Sequence, residues 1–145
     1  MKNILATIGF YDNENLVMDK AFEIANAFKA KIWLLHVVAP EPEFVGFGVG
    51  PQYVRDSRAL ELRKERKLIN QYAEDLRLKG VKAEGLLMKG STIELIMKEA
   101  EKLSIDLIVT GHHDHNFVYK AFFGSVASGV INKTKIPVLL VPLEH

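Results

Sequence analysis

The residues best suited to chemistry lie near the carboxyl end of the chain. Gly111-His112-His113-Asp114 is followed by nine residues and then by Gly124-Ser125, which opens an amphipathic segment. A helix N-terminus carries unpaired N–H groups and a partial positive charge, so it binds anions such as phosphate. Gly124 would let an anion approach the backbone, and the Ser125 hydroxyl would add a donor. The pattern fits either phosphate binding or a plain capped helix after a surface loop.

Alternating strands and helices must position these residues. Short apolar runs predict five strands, the third a weak edge strand, over residues 3–8, 32–38, 81–88, 106–110 and 138–141. Apolar residues at three- and four-residue spacing predict helices between them. This order predicts an α/β fold, with a single doubly wound, mostly parallel five-stranded sheet and helices on both faces. In such sheets ligands bind beyond the carboxyl ends of the strands.

Two helix starts carry capping signals. The Asp12/Asn13 pair follows the first strand and offers side-chain caps for the first helix. Further along, Ser91-Thr92-Ile93-Glu94 is a capping box, in which Ser91 bonds to the backbone of Glu94 and the carboxylate reaches back. We therefore expect helices to begin just after these residues.

Other candidate chemistries are weaker. His112-His113-Asp114-His115 contains metal-ligand types, but adjacent side chains cannot all converge on one ion, so no metal site is predicted. Gly46-Phe47-Gly48-Val49-Gly50 has the wrong spacing for a dinucleotide fingerprint. His36, inside an apolar strand, is interpreted as structural. The sequence contains no serine-hydrolase elbow or suggestive carboxylate pair, so no catalytic residue is predicted.

The composition is that of a compact globular protein. The chain has 145 residues, 48% hydrophobic and 26% charged, which predicts one domain over residues 1–142. A formal net charge of +1 is too small for non-specific binding to nucleic acid or to an anionic membrane. The lack of cysteine and of a secretion signal leads us to expect a cytoplasmic protein. Residues 143–145 are interpreted as the remnant of an expression tag.

Several segments together resemble the universal stress protein family over essentially the whole chain. They are the opening Asn3–Ile8, the strand Leu34–Val37, the block Gly111 to Gly124-Ser125 with its nine-residue gap, and the closing Ile136–Val141. The resemblance implies a Rossmann-like, adenine-nucleotide alpha-hydrolase-like fold and a role as a small stress-response regulator. One branch of the family binds ATP, and the other lacks the phosphate-binding loop and acts through protein contacts.

The resemblance also implies which residues would bind ATP or AMP, with Mg²⁺ accompanying the nucleotide. Gly111, Gly124, Ser125 and Val126 match the phosphate-binding elements, Val37 matches an adenine-side contact, and Thr110 and Asp114 lie beside them. Two positions depart from the binding branch. Asp114 stands where that branch has a second glycine, and Gly9 stands where it has an aspartate at the end of the first strand. The Asp114 carboxylate would repel a triphosphate unless a cation lay between them.

The family resemblance and the edge-strand argument predict a homodimer. The last strand, formed by Val138, Leu139, Leu140 and Val141, would be an exposed apolar edge that antiparallel pairing across a two-fold axis covers. An unidentified protein partner is a further expectation, with the apolar Phe44–Val49 loop as its contact. Two functions stay open at this point, a nucleotide-occupied regulator and an interaction protein of the non-nucleotide branch.

Overall fold

The structure, a computed structural model, describes residues 1–38, 52–112 and 124–143. Five strands and four helices alternate along these residues. In chain order they are β1 (Asn3–Thr7), α1 (Asn15–Phe28), β2 (Lys31–Val38), α2 (Gln52–Leu78), β3 (Lys82–Lys89), α3 (Thr92–Lys102), β4 (Leu107–His112), α4 (Gly124–Lys133) and β5 (Val138–Pro142). None of these helices combines the length and apolar character needed to cross a lipid bilayer.

The five described strands form one parallel sheet in the order β3-β2-β1-β4-β5. Register places Ala6 of β1 between Leu34 of β2 and Val109 of β4. The strand order reverses at β1, so β1 and its neighbours β2 and β4 define the switch point where ligands of doubly wound sheets bind. The predicted α/β fold and the predicted edge position of β3 are confirmed, and β5 forms the other edge.

The core lies on both faces of this sheet. One face, with Ile4, Ala6 and Val109 of the central strands, packs against α1 and α2. The other face, with Leu5 and Ile108, packs against α3 and α4. Because β1, β2 and β4 are covered on both faces, their apolar residues run continuously instead of alternating, which is why the sequence predicts them well.

The helix caps differ from the predicted ones. Helix α1 begins at Asn15 with Glu14 as its N-cap residue, and Glu14 makes no side-chain bond to the helix, so the prediction that Asp12/Asn13 cap it is wrong. Helix α3 begins at Thr92, directly after Ser91 as predicted, but Ser91 makes no side-chain capping bond. Tertiary packing therefore sets these two helix starts more than local capping does.

Leu143 belongs to the fold. Its side chain is 1% exposed in the core beside α1, its N–H donates to the carbonyl of His112, and its own carbonyl accepts from Asn13 Nδ2 at 3.1 Å. A Cβ added to Gly111 would lie 2.6 Å from Leu143 Cδ1, so any other residue at this position would force the Leu143 side chain to shift. The origin of residues 143–145 stays a prediction, but Leu143 contributes to the core.

Candidate functional site

A cavity of about 270 Å³ opens at the carboxyl ends of β1, β2 and β4, with the start of α3 on one side. Four of the residues predicted from sequence to contact a ligand line this one cavity, namely Gly9, Val37, Thr110 and Gly111. They come from three strands and are brought together because parallel strands end at the same edge of the sheet. The cavity therefore occupies the position at which doubly wound sheets bind ligands.

The floor of the cavity carries a pair of hydroxyl groups. Thr7 Oγ1 on β1 donates to Thr110 Oγ1 on β4 at 2.7 Å, and both side chains are buried. This bond uses one of the two hydroxyl protons, so the pair retains one donor. Thr110 is among the residues predicted from sequence, whereas Thr7 is not, because it lies two residues before Gly9 inside the apolar run that predicts β1.

A side chain at position 9 would clash with the neighbouring Tyr11 ring unless that ring moved. A Cβ built on Gly9 would lie 2.5 Å from Tyr11 Cδ1, well inside van der Waals contact. Tyr11 also lines the cavity. An aspartate at position 9, as in the nucleotide-binding branch, would therefore displace the Tyr11 ring, and here the ring forms part of the wall.

Glu14, a buried acid near the cavity, is not among the residues predicted from sequence. Its side chain is 3% exposed. The carboxylate accepts a hydrogen bond from the N–H of Gly9, and the N–H of Phe10 lies 3.1 Å from both of its oxygens. Through these hydrogen bonds, Glu14 holds the loop that carries Gly9 and Tyr11 in place. An acid just before a helix looks like an ordinary solvated residue in sequence, so no local signal identified it.

Burial dominates the ionisation of this region. Burial raises the pKa of Glu14 from its ordinary value of 4.5 to about 7, although the hydrogen bonds from Gly9 and Phe10 oppose the shift. The pKa values of Tyr11 and Tyr72 are raised as well, first by burial and then by the nearby charge of Glu14. Both phenols are therefore neutral at physiological pH, whereas the pKa of Glu14 lies near it.

His36 ties three elements together behind the cavity wall. Its Nδ1 lies 2.6 Å from the carbonyl oxygen of Ile8, to which it donates, and Nε2 lies 3.4 Å from Glu65 Oε2 on α2. The Phe10 ring lies against the imidazole with centroids 4.5 Å apart. These contacts agree with the structural interpretation of His36, although the ring also borders the cavity.

The phosphate-binding part of the predicted site is described in part. Helix α4 begins at Gly124, as predicted, and Ser125 and Val126 lie in its first turn. The β4-α4-β5 connection joins parallel strands, so α4 runs opposite to them and its N-terminus lies at the carboxyl edge of the sheet. Asp114 lies outside the described residues.

Three other sequence features also fall, wholly or in part, outside the described residues. They are the Phe44–Val49 loop, the Gly46–Gly50 run and the His112–His115 cluster, of which only His112, at the end of β4, is described. Within residues 1–38, 52–112 and 124–143, no group of three or more metal-ligating side chains comes together.

The described cavity wall contains no lysine or arginine. Its surface is mainly apolar, with hydroxyl groups from Thr7, Thr92 and Thr110. Such a wall suits a flat, largely apolar ring with a few polar edges. Because the described lining has no lysine or arginine, a phosphate on the same ligand would suit the backbone N–H groups near Gly111 and the start of α4.

Comparisons with known proteins agree with this architecture. The model of the universal stress protein family matches residues 1–142. Universal stress protein A homolog 1 of Coxiella burnetii is 30% identical, covering 99% of this chain and 98% of that protein. A universal stress protein solved in complex with cAMP has a TM-score of 0.73 and 17% identity, covering 99% of this chain and 98% of that one.

A further solved structure, the universal stress protein of Archaeoglobus fulgidus in complex with dAMP, has a TM-score of 0.67 and 20% identity. The similarity covers 97% of this chain and 96% of that one. At such identities these structures show a shared fold, whereas the family match extends over nearly the whole sequence. The chain belongs to the universal stress protein family.

Proposed function

We propose that this protein is a stress-response regulator that binds an adenine nucleotide, ATP or AMP, in the cavity at the ends of β1, β2 and β4. One observation carries the proposal. Gly9, Val37, Thr110 and Gly111, selected from sequence as ligand contacts, line a single cavity at the switch point of the sheet. Complexes of related universal stress proteins with cAMP and with dAMP support the same ligand class.

Each part of such a nucleotide would meet a different part of the cavity. The base and ribose would lie against the apolar wall, where Val37 offers its backbone and the Thr7–Thr110 pair offers a hydroxyl donor. The phosphates would lie toward Gly111 and the N-terminus of α4. With no cation in the described wall, Mg²⁺ bound to a triphosphate would offset its charge and the opposing charge of Asp114.

Calorimetric titration of nucleotide-free protein tests this proposal. ATP and AMP are added with and without Mg²⁺, and Thr110→Val is compared with the native chain. This nearly isosteric change removes the Thr110 hydroxyl, whose proton is not used in the bond to Thr7. Thr134→Val is the matched control, since Thr134 accepts a bond from the Ile136 N–H and lies outside the cavity. Binding that Thr110→Val weakens and Thr134→Val preserves supports the proposal. No heat at millimolar nucleotide refutes it and favours the non-nucleotide, protein-interaction branch.

We also propose that two copies pair through β5. The strand lies at the edge of the described sheet, and Leu140 on it is 36% exposed, whereas Val141 is buried within the chain. Antiparallel pairing of two β5 edges would satisfy the free backbone groups of both. Sedimentation at micromolar concentration should give a dimer that Leu140→Lys dissociates. A single 16 kDa species in the native protein would refute the pairing.

A further inference from the structure

The loop that joins β1 to α1, residues 8–14, forms one wall of the cavity and is held in an unusual conformation. Gly9 and Tyr11 line the cavity. Phe10 and Asn13 have φ values of 60° and 66°, in the left-handed region that residues with a side chain rarely adopt. A loop with two such residues keeps its shape only when further contacts hold it.

Glu14 supplies this contact from beneath the loop. Its buried carboxylate accepts hydrogen bonds from the backbone N–H groups of two adjacent loop residues, Gly9 and Phe10. With those N–H groups held, the ring of Tyr11 lies directly over Gly9. Within the described ranges no lysine, arginine or histidine pairs with Glu14. The loop backbone is therefore the partner of this carboxylate.

We infer that Glu14 is a positioning residue for the ligand cavity: its carboxylate fixes the Gly9–Tyr11 wall, and its ionisation sets how tightly the cavity binds nucleotide. The inference rests on the proposed function, because it concerns the affinity of that same cavity. It assigns Glu14 no contact with the ligand. The effect on the ligand passes through the backbone of Gly9 and Phe10 and the ring of Tyr11.

The surroundings of Glu14 place its titration in the physiological range. Tyr11 on the same loop and Tyr72 on α2 face it and stay neutral near pH 7. Behind the Phe10 ring lie His36 of β2 and Glu65 of α2. Because burial raises the pKa of Glu14 to about 7, the group is mostly ionised at pH 8 and mostly protonated at pH 6. Protonation turns charge-assisted bonds to the loop into weaker neutral ones.

The ratio of ATP affinities between the native chain and Glu14→Gln, measured by calorimetry at pH 6 and pH 8, tests the inference. The ratio cancels the titration of the ATP phosphate, because the same nucleotide is added to both proteins. We expect it to rise by about fivefold from pH 6 to pH 8, the factor that separates charged from neutral hydrogen bonds. Glu23→Gln, which replaces an exposed acid of α1 paired with Lys20, is the matched control. The ratio of the native affinity to the Glu23→Gln affinity should be the same at pH 6 and at pH 8. A constant ratio for Glu14→Gln overturns the inference.

A second measurement needs no ligand. In nitrogen-15 NMR spectra of the native protein, the amide signals of Gly9 and Phe10 should shift with a midpoint near pH 7, and in Glu14→Gln they should not. Amides that do not titrate overturn the positioning role even if the variant fails to fold. Titrating amides without ATP binding refute the proposed function and the affinity effect, and leave Glu14 as the group that fixes the loop.

Discussion

Replacing Glu14 by glutamine should change the pH dependence of stability. The pKa of Glu14 rises from 4.5 in the unfolded chain to about 7 in the fold, mainly because the carboxyl is buried. The folded protein therefore binds this proton more tightly than the unfolded chain does. The resulting stabilisation is complete below pH 4.5 and is lost as the pH rises to about 7. A shift of this size corresponds to about 3 kcal/mol.

Glutamine has nearly the same shape and does not titrate, so it removes this dependence. The carboxamide oxygen can accept one of the two loop N–H groups, which preserves part of the support under Gly9 and Phe10. The free energy of unfolding of Glu14→Gln relative to the native protein should thus rise between pH 4.5 and pH 8 by up to about 3 kcal/mol. With a side chain only 3% exposed, solvent screening should reduce the effect little.

Urea unfolding followed by tryptophan fluorescence at half-unit pH intervals from 4.5 to 8 measures this difference. The chain contains one tryptophan, Trp33 on β2, which reports on the sheet. Glu23→Gln serves as the control because that carboxylate is exposed. Parallel stability curves for Glu14→Gln and the native chain over the whole range would refute the reasoning, since they would mean that Glu14 titrates alike in the folded and unfolded states.

Three further predictions concern the cavity and the core. Gly9→Ala should destabilise the native chain but have a smaller effect in a Tyr11→Ala background, because the clash with the ring is then gone. A double-mutant cycle from urea midpoints should give a coupling free energy above about 0.5 kcal/mol. Additive effects would contradict the packing of Tyr11 on Gly9. Leu143→Ala should lower the free energy of unfolding by about 2–5 kcal/mol because the side chain is buried. Leu78→Ala, at a position that is 77% exposed, should lower it far less. Equal losses would contradict the burial of Leu143. Asp114→Gly should tighten ATP binding by about fivefold in calorimetry, the effect of removing roughly 1 kcal/mol of repulsion, and an unchanged affinity would place that carboxylate away from the phosphates.

Features set by continuous local patterns could be predicted from the sequence. The apolar runs of β1, β2 and β4 are covered on both faces, so each run predicts a buried parallel strand and their order predicts the α/β fold. The position of the cavity followed from that topology, since Gly9, Val37 and Gly111 each lie at the carboxyl end of a central strand. These predictions depended on residues close together in sequence.

Features set by contacts between distant segments could not be predicted in this way. In sequence Glu14 looks like a solvated acid. In the fold it is buried beneath its own loop, with Tyr72 of α2 packed nearby. In sequence Leu143 looks like part of a tag. In the fold its side chain packs against Gly111, which has no side chain in the way. In sequence Gly9 looks like an ordinary strand end, whereas in the fold the Tyr11 ring occupies the space that a side chain at position 9 would need.

The hydrogen bonds of Glu14 also restrict where a phosphate can bind. The N–H groups of Gly9 and Phe10 lie at the end of β1, where they would otherwise be available to an anion, but both are engaged by the carboxylate. A negative charge buried at that end of the sheet further repels an anion. The β1 side of the cavity is thus suited to the uncharged part of a ligand. On the β4 side, the N-terminus of α4 at Gly124 is where a phosphate would meet helix N–H groups under the proposed function.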